Sequence, residues 1–292
     1  MSDTTKKAPL ARRALFPLLL GLLLLTILYS VTIGRYDLQV RDVALILWDN
    51  ISPSQAPSWT KLEETVVELV RLPRVLAAVL IGFGLAVSGG ALQGLFRNPL
   101  VDPGIIGVTA GAGFGGTLAI LLGIHGYMLL AIAFCFGIGS VVLVKFLASV
   151  RGRTSILTLV LAGVVISAFF SAAISIAKLL ADPFQKLPAI TYWLMGSIAS
   201  THYGDVLLLA IAVIPATILI FLLRFQINIL SLGEEKARAL GTPVVLVQWL
   251  ILIATAMISA GIVAISGIIG WVGLVMPHLS AQTTAGCCRS PA

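Results

Sequence analysis

Residues 75–95, VLAAVLIGFGLAVSGGALQGL, run for 21 positions without a charged side chain. As an α-helix this run is about 31 Å long, close to the roughly 30 Å hydrocarbon core of a bilayer. It is apolar on every side and shows no period-two alternation, so it reads as a membrane-crossing helix and not as a half-buried strand. Lipid offers no partner to backbone N–H and C=O groups, and a run of this length satisfies its own only as a helix.

Working outward, the same pattern recurs. Eight spans are expected, at residues 14–33, 73–95, 104–123, 127–148, 155–180, 205–224, 244–264 and a shorter Gly-rich one at 267–280. Composition agrees: 59% of the 292 residues are hydrophobic and only 11% charged, against about 25% charged in an ordinary soluble domain. Too little polar surface remains to cover a water-soluble globule, which excludes a soluble enzyme and a disordered chain. The net charge of +7 is spread thinly between apolar runs, which excludes a basic nucleic-acid-binding domain, and no nucleic acid is expected as a partner. A transmembrane barrel would need alternating segments of about ten residues. The fold class is therefore an all-α polytopic membrane protein. Lys6, Lys7, Arg12 and Arg13 precede the first run as in a signal peptide, but the apolar core is long and lacks a small-x-small cleavage site, so it reads as a retained anchor.

Loop charges orient the bundle. With the N-terminus inside, twelve Lys and Arg fall on the cytoplasmic face, Arg97, Lys145, Arg224, Lys236 and Arg238 among them, and seven on the other. Arg71 and Arg74 sit against the rule, just outside the second span. The 28 glycines cluster within the spans, where small residues three and four apart let helix backbones approach closely.

The spans themselves hold no Asp, Glu, Lys, Arg or His over 75–95, 104–123, 127–144, 155–177, 206–223 and 244–277. Ion-coupled transporters usually keep such groups at membrane depth, so an ion-coupled secondary transporter is the weaker alternative, and the energy source is expected in a partner. A mid-membrane ionisable pair would favour that alternative; a polar catalytic cluster would favour a membrane enzyme. His125, His202 and His278 lack metal-ligand spacing, Cys135 lies within a span as a small hydrophobe, and the adjacent Cys287 and Cys288 define no disulfide framework. No metal site and no cofactor are expected. No G-x-x-x-x-G-K-[ST] phosphate loop occurs, so the chain is not itself an ATPase and not an enzyme.

The loop at residues 230–243, LSLGEEKARALGTP, breaks the apolar pattern. Gly233 starts a turn, Glu234 and Glu235 suit a helix first turn, Arg238 suits its end, and Gly241 with Pro243 stops it. Read from its residues alone, this short capped helix is equally a solvated connector.

That loop resembles the ATPase-coupling segment of ABC-importer permeases, and the wider chain resembles the permeases for iron-siderophores, haem and cobalamin. The likeness is carried in order by residues 71–74 (RLPR), 84–93 (GLAVSGGALQ), 98–104 (NPLVDPG), 161–163 (LAG), 193–197 (WLMGS) and 270–278 (GWVGLVMPH). It covers residues 15 to 279.

The resemblance implies that Gly233, Glu234, Glu235, Ala237, Arg238, Leu240 and Gly241 dock in a cleft of a separate cytoplasmic ATPase. It implies that Arg71 and Arg74 receive acidic residues of a periplasmic or lipid-anchored substrate-binding protein; from the sequence they equally pair with Glu63, Glu64 or Glu68. It implies a pathway lined by the fifth span and a short helix at 188–200, with Thr154, Ser155 and Thr158 at the inner mouth. Two ATPase subunits, a second permease subunit, identical or similar, and membrane lipid are the implied partners. The implied activity is translocation of an iron chelate, haem or cobalamin across a bacterial inner membrane.

The family pattern has ten spans in inverted repeats of four helices plus two extra. After His278 it implies a basic turn and two further spans, whereas residues 279–292 are short and polar. The expectation is an incomplete permease domain over 1–279 and a non-family tail over 280–292 from a shifted reading frame. Sequencing the gene tests this, and neither shifted frame encoding two apolar spans would exclude it.

Overall fold

The computed structural model describes residues 7–34, 36–49, 59–149 and 156–285, and their regular elements are all helical. In chain order they are α1 (Lys7–Thr32), α2 (Val40–Asp49), α3 (Lys61–Thr65), α4 (Leu72–Phe96), α5 (Val108–Leu121), α6 (Tyr127–Ala148), α7 (Ile156–Leu180), α8 (Lys186–Met195), α9 (Tyr203–Leu222), α10 (Arg224–Leu230), α11 (Glu234–Ala239), α12 (Val244–Ser266) and α13 (Val272–Ala285). A π-helical turn, Val66–Arg71, joins α3 to α4 without a break. Thr60 and Glu63 start that long helix with a capping box, so Glu63 is spent on the Thr60 N–H and hydroxyl.

Among the described residues five helices are long and apolar enough to cross a membrane: Lys61–Phe96, Tyr127–Ala148, Leu157–Leu180, Tyr203–Leu222 and Val244–Ser266. These match the second, fourth, fifth, sixth and seventh expected spans. Of the other three, the third and eighth are shorter for local reasons. The described apolar part of α1 is Phe16–Thr32. The third run opens as a 3-10 turn, Pro103–Ile106, capped by the Asp102 side chain accepting from the Ile105 N–H; α-helix begins only at Val108 and lasts 14 residues. In the eighth run the chain leaves α12 at Gly267, passes Trp271 at φ 68 and restarts as α13. That helix continues past Ser280 to Ala285, and residues 286–292 lie outside the described part.

The core is built around α12, whose Ile251, Leu252, Ala254, Ala256, Ile258, Ala260 and Ile262 are buried. It packs against α4, α5, α6 and α9. Small residues allow the close approaches expected of them: a Cβ at Gly111 would stand 2.6 Å from the Ser140 Cβ on α6, and one at Gly89 would overlap the Gly273 carbonyl oxygen on α13. The opposite extreme is α7, which leaves Leu161, Val164, Val165, Phe169 and Ile176 exposed. Cys135 is likewise exposed on α6.

Two ends of the bundle follow from α4, whose path from Arg71 to Arg97 spans about 39 Å at helical rise. Near Arg71 lie the end of α1 and the start of α9; near Arg97 lie α11, the end of α6 and the start of α12.

Candidate coupling and docking surfaces

At the Arg97 end α11 is a single six-residue turn-and-a-half held by its caps. The Thr242 N–H reaches the Ala237 carbonyl at 3.0 Å and the Gly241 N–H reaches the Arg238 carbonyl at 3.0 Å. This paired pattern is a Schellman cap, and it needs a left-handed residue that Gly241 supplies at φ 78. Glu234 and Glu235 occupy the first turn, where the helix dipole favours anions. Ala237 is fully buried against the bundle, whereas Glu235, Lys236, Arg238, Leu240 and Gly241 are exposed. The helix thus has an anchored side and an outward side carrying charges of both signs and one free leucine.

Behind α11 lies a polar chain that sequence reasoning missed. Lys145, one of the twelve charges the sequence puts on the cytoplasmic face, is only 2% exposed, in the last turn of α6. Its Nζ donates to Gln248 Oε1 at 3.4 Å, and Gln248 Nε2 donates to Glu234 Oε1 at 3.0 Å. The ammonium also stands 5.6 Å from the Trp249 ring centroid, within range of a cation–π contact. Arg238 lies 3.8 Å from the other Glu234 oxygen. The reason Lys145 points inward is positional. Gly137, Val141 and Lys145 follow one another at four-residue steps, all on the buried face of α6.

At the opposite end the two arginines part company. Arg71 is 6% exposed, and its guanidinium donates to the carbonyls of Val31 at 2.8 Å, Thr32 at 2.7 Å, and Tyr36. The last carbonyls of a helix lack intrahelical donors, and a forked guanidinium supplies several at once. Arg71 therefore ties the end of α1 to α4 and is buried instead of open at the surface. Arg74 is half-buried, and its Nε is buried without a hydrogen-bond partner. Nearby on the same end, His202 Nδ1 meets Asp205 Oδ2 at the start of α9, with the imidazole stacked on Tyr127.

Of the expected inner-mouth residues, Thr154 and Ser155 lie outside the described residues, and Thr158 is exposed on α7. Along α7 the hydroxyls of Ser171 and Ser175 donate to the carbonyls of Ser167 and Ser171, at 2.8 and 3.0 Å. These serines share a face at four-residue spacing, and Ser171 and Ser175 are exposed. The short helix α8 is Lys186–Met195 rather than 188–200. Its Trp193 ring fills the space a side chain at Gly116 would take, and the Ser197 N–H donates to the Ser266 carbonyl at 2.7 Å. Among the described residues no group of three or more His, Cys, Asp or Glu gathers as a metal site.

The model of the FecCD transport family matches residues 22–289. The chain is similar to the molybdate import system permease protein MolB of Haemophilus influenzae, 42% identical over 259 residues that cover 89% of this chain and 76% of the relative. It is also similar to the hemin transport system permease protein HmuU of Yersinia pestis, 36% identical over 275 residues, 91% of this chain and 78% of the relative. A solved chain described as a metal-chelate type ABC transporter in an inward-facing conformation superposes with a TM-score of 0.81 at 41% identity, covering 94% of this chain and 82% of the other.

Proposed function

This chain belongs to the FecCD transport family, and from that premise we propose that it is the membrane-spanning subunit through which an ATPase-driven importer passes an iron chelate, haem or cobalamin. It is an ABC importer permease, a multi-pass membrane protein and not itself an enzyme. The observation that carries the mechanism is α11: a capped helix fixed by Ala237 and offering Glu235, Lys236, Arg238 and Leu240 outward. A separate cytoplasmic ATPase pair grips this face, so that nucleotide-driven closure pushes on α11. The N-terminus and the Arg97 end then face the cytoplasm of a bacterial inner membrane, in keeping with the excess of Lys and Arg there.

At the outer end Arg74, half-buried in the first turn of α4, receives an acidic residue of a substrate-binding protein. Arg71 serves the same surface indirectly by holding α1 in place. A second permease subunit packs across the exposed face of α7, and its serine-bearing side, with α8, lines the passage. Thr158, Thr154 and Ser155 stand at the inner mouth. With no Asp, Glu, Lys, Arg or His over residues 75–95, 104–123, 127–144, 155–177, 206–223 and 244–277 to grip a cargo, selectivity rests in the binding protein.

Co-purification with the cognate ATPase tests the first step. Leu240→Asp in the outward face of α11 is expected to abolish recovery of the ATPase, and an ATPase that never associates with the wild-type chain overturns the reading. Uptake by proteoliposomes offered a ferric siderophore, haem, cobalamin or molybdate tests the cargo. Transport of molybdate alone would overturn the iron-chelate assignment.

A further inference from the structure

Lys145 and Gln248 have no part in gripping the ATPase, because both are buried behind α11. We propose that Lys145, Gln248 and Glu234 form a polar joint that carries displacement of α11 into α6 and α12, which makes Lys145 and Gln248 positioning residues for energy coupling. The proposal rests on reading α11 as the ATPase contact.

Three observations support the joint. First, a buried ammonium is a poor means of stabilising a helix end, since desolvating it is costly and a well-packed apolar side chain does as well or better. The neighbours of Lys145 on the same face, Val141, Val144 and Ala148, show that the site accepts apolar packing. What hydrogen bonds add is direction: they fix the separation of the groups they join, whereas apolar faces can slide.

Second, the chain of bonds is complete across three elements. Lys145 belongs to α6, Gln248 to the first turns of α12 and Glu234 to the first turn of α11, joined at 3.4 and 3.0 Å. The amide of Gln248 uses its oxygen toward the cation and its nitrogen toward the carboxylate, so one side chain bridges opposite charges. Arg238 at 3.8 Å and the Trp249 ring at 5.6 Å complete the surroundings.

Third, the two helices so joined lead onward. α12 is the central helix of the core, and α6 packs along α5, which in turn packs on α7 and α8. A push on α11 is thereby delivered to the elements that border the proposed passage, through contiguous packed side chains of the kind that carry coupling between sites.

The test uses the full importer in proteoliposomes: this chain, its ATPase and its binding protein, with ATP hydrolysis and uptake measured together. Lys145→Met and Gln248→Met keep most of the buried volume and remove the bonds. Each is expected to copurify with the ATPase and hydrolyse ATP, while uptake per ATP hydrolysed falls by about tenfold, within the usual range for coupling between sites. Lys145→Arg, which keeps the charge and donors, is expected to recover most of that ratio. If either methionine variant assembles and keeps the wild-type ratio, the joint is overturned. Should Lys145→Met fail to assemble, Gln248→Met decides by the same ratio, since it removes no charge. A wild-type chain that recruits no ATPase overturns the reading of α11 and the joint with it; a wild type that couples beside methionine variants that couple equally overturns the joint alone.

Discussion

Arg71 and Arg74 are three residues apart in one helix and do different work. Arg71 holds three carbonyls at the end of α1 and the loop beyond it. Arg71→Met leaves those oxygens with no donor, at a cost of about 1.5–3 kcal/mol for each charged hydrogen bond that is not replaced by water. The expected outcome is a clear drop in thermal unfolding temperature of the purified chain in detergent. Arg71→Lys restores only part of it, because an ammonium cannot fork across carbonyls on two segments. Arg74→Ala is expected to leave the melting temperature almost unchanged and to weaken capture of the substrate-binding protein, measured by equilibrium binding to the reconstituted importer. A loss of stability with normal capture would refute that role for Arg74. Neither arginine could be assigned from its neighbours in sequence. Glu63, one of the three carboxylates nearby in sequence, is occupied by Thr60.

At the scale of elements, α11 is too short to persist without its caps, since isolated helices under about 12 residues are marginal in water. Gly241 carries the left-handed residue of its Schellman cap. Gly241→Ala forces a Cβ into that conformation at about 1–2 kcal/mol, so roughly tenfold weaker ATPase affinity is expected by titration, with the melting temperature of the transmembrane bundle unchanged. Affinity equal to wild type would show that α11 is not shaped by this cap when bound. The α4–α13 contact makes the opposite kind of prediction. At Gly89 a side chain would overlap the Gly273 carbonyl, so Gly89→Leu forces the two helices apart, an overpacking that costs about 1–3 kcal/mol. Reduced yield and a lower melting temperature are expected, with ATPase recruitment intact in the fraction that folds. The short third and eighth runs belong to this scale too. Both are interrupted by local chemistry, Asp102–Pro103 in one and the Gly267–Trp271 break in the other, which a hydropathy count does not register.

For the molecule as a whole, the uneven burial of α7 and α12 is the informative contrast. α12 is buried on nearly every side, as the helix around which the others pack, whereas α7 presents Leu161, Val165, Phe169 and the Ser171–Ser175 edge to its surroundings. A second copy or a similar permease placed against α7 would bring the two serine edges together. Ser175→Cys is therefore expected to form an inter-subunit disulfide on oxidation in the assembled importer, read on a non-reducing gel, and to do so more readily than a cysteine placed at Leu207 on α9, which is also exposed. Equal cross-linking at both positions would refute the arrangement. The same whole-molecule view links the two ends: α4 reaches from Arg71, beside the proposed binding-protein surface, to Arg97, beside α11, so events at either face act on one continuous helix.

Much of this protein is legible in its sequence because lipid imposes one simple demand: a run of about 20 apolar residues must close its own backbone hydrogen bonds. Fold class, most of the long helices and the polar helix at residues 234–239 follow from that demand and from local capping chemistry at Gly233, Glu234 and Gly241. What the sequence cannot reveal is which side of each helix turns inward, because a membrane helix is apolar on both its lipid side and its core side and the period of 3.6 disappears. For this reason the sequence places Lys145 on the cytoplasmic side and Arg71 on the other without saying whether either is buried. Only the tertiary structure decided that both are buried, one bridged through Gln248 to α11 and the other closing the end of α1, since those contacts join residues 103 and 40 positions apart and exist only once the helices have packed.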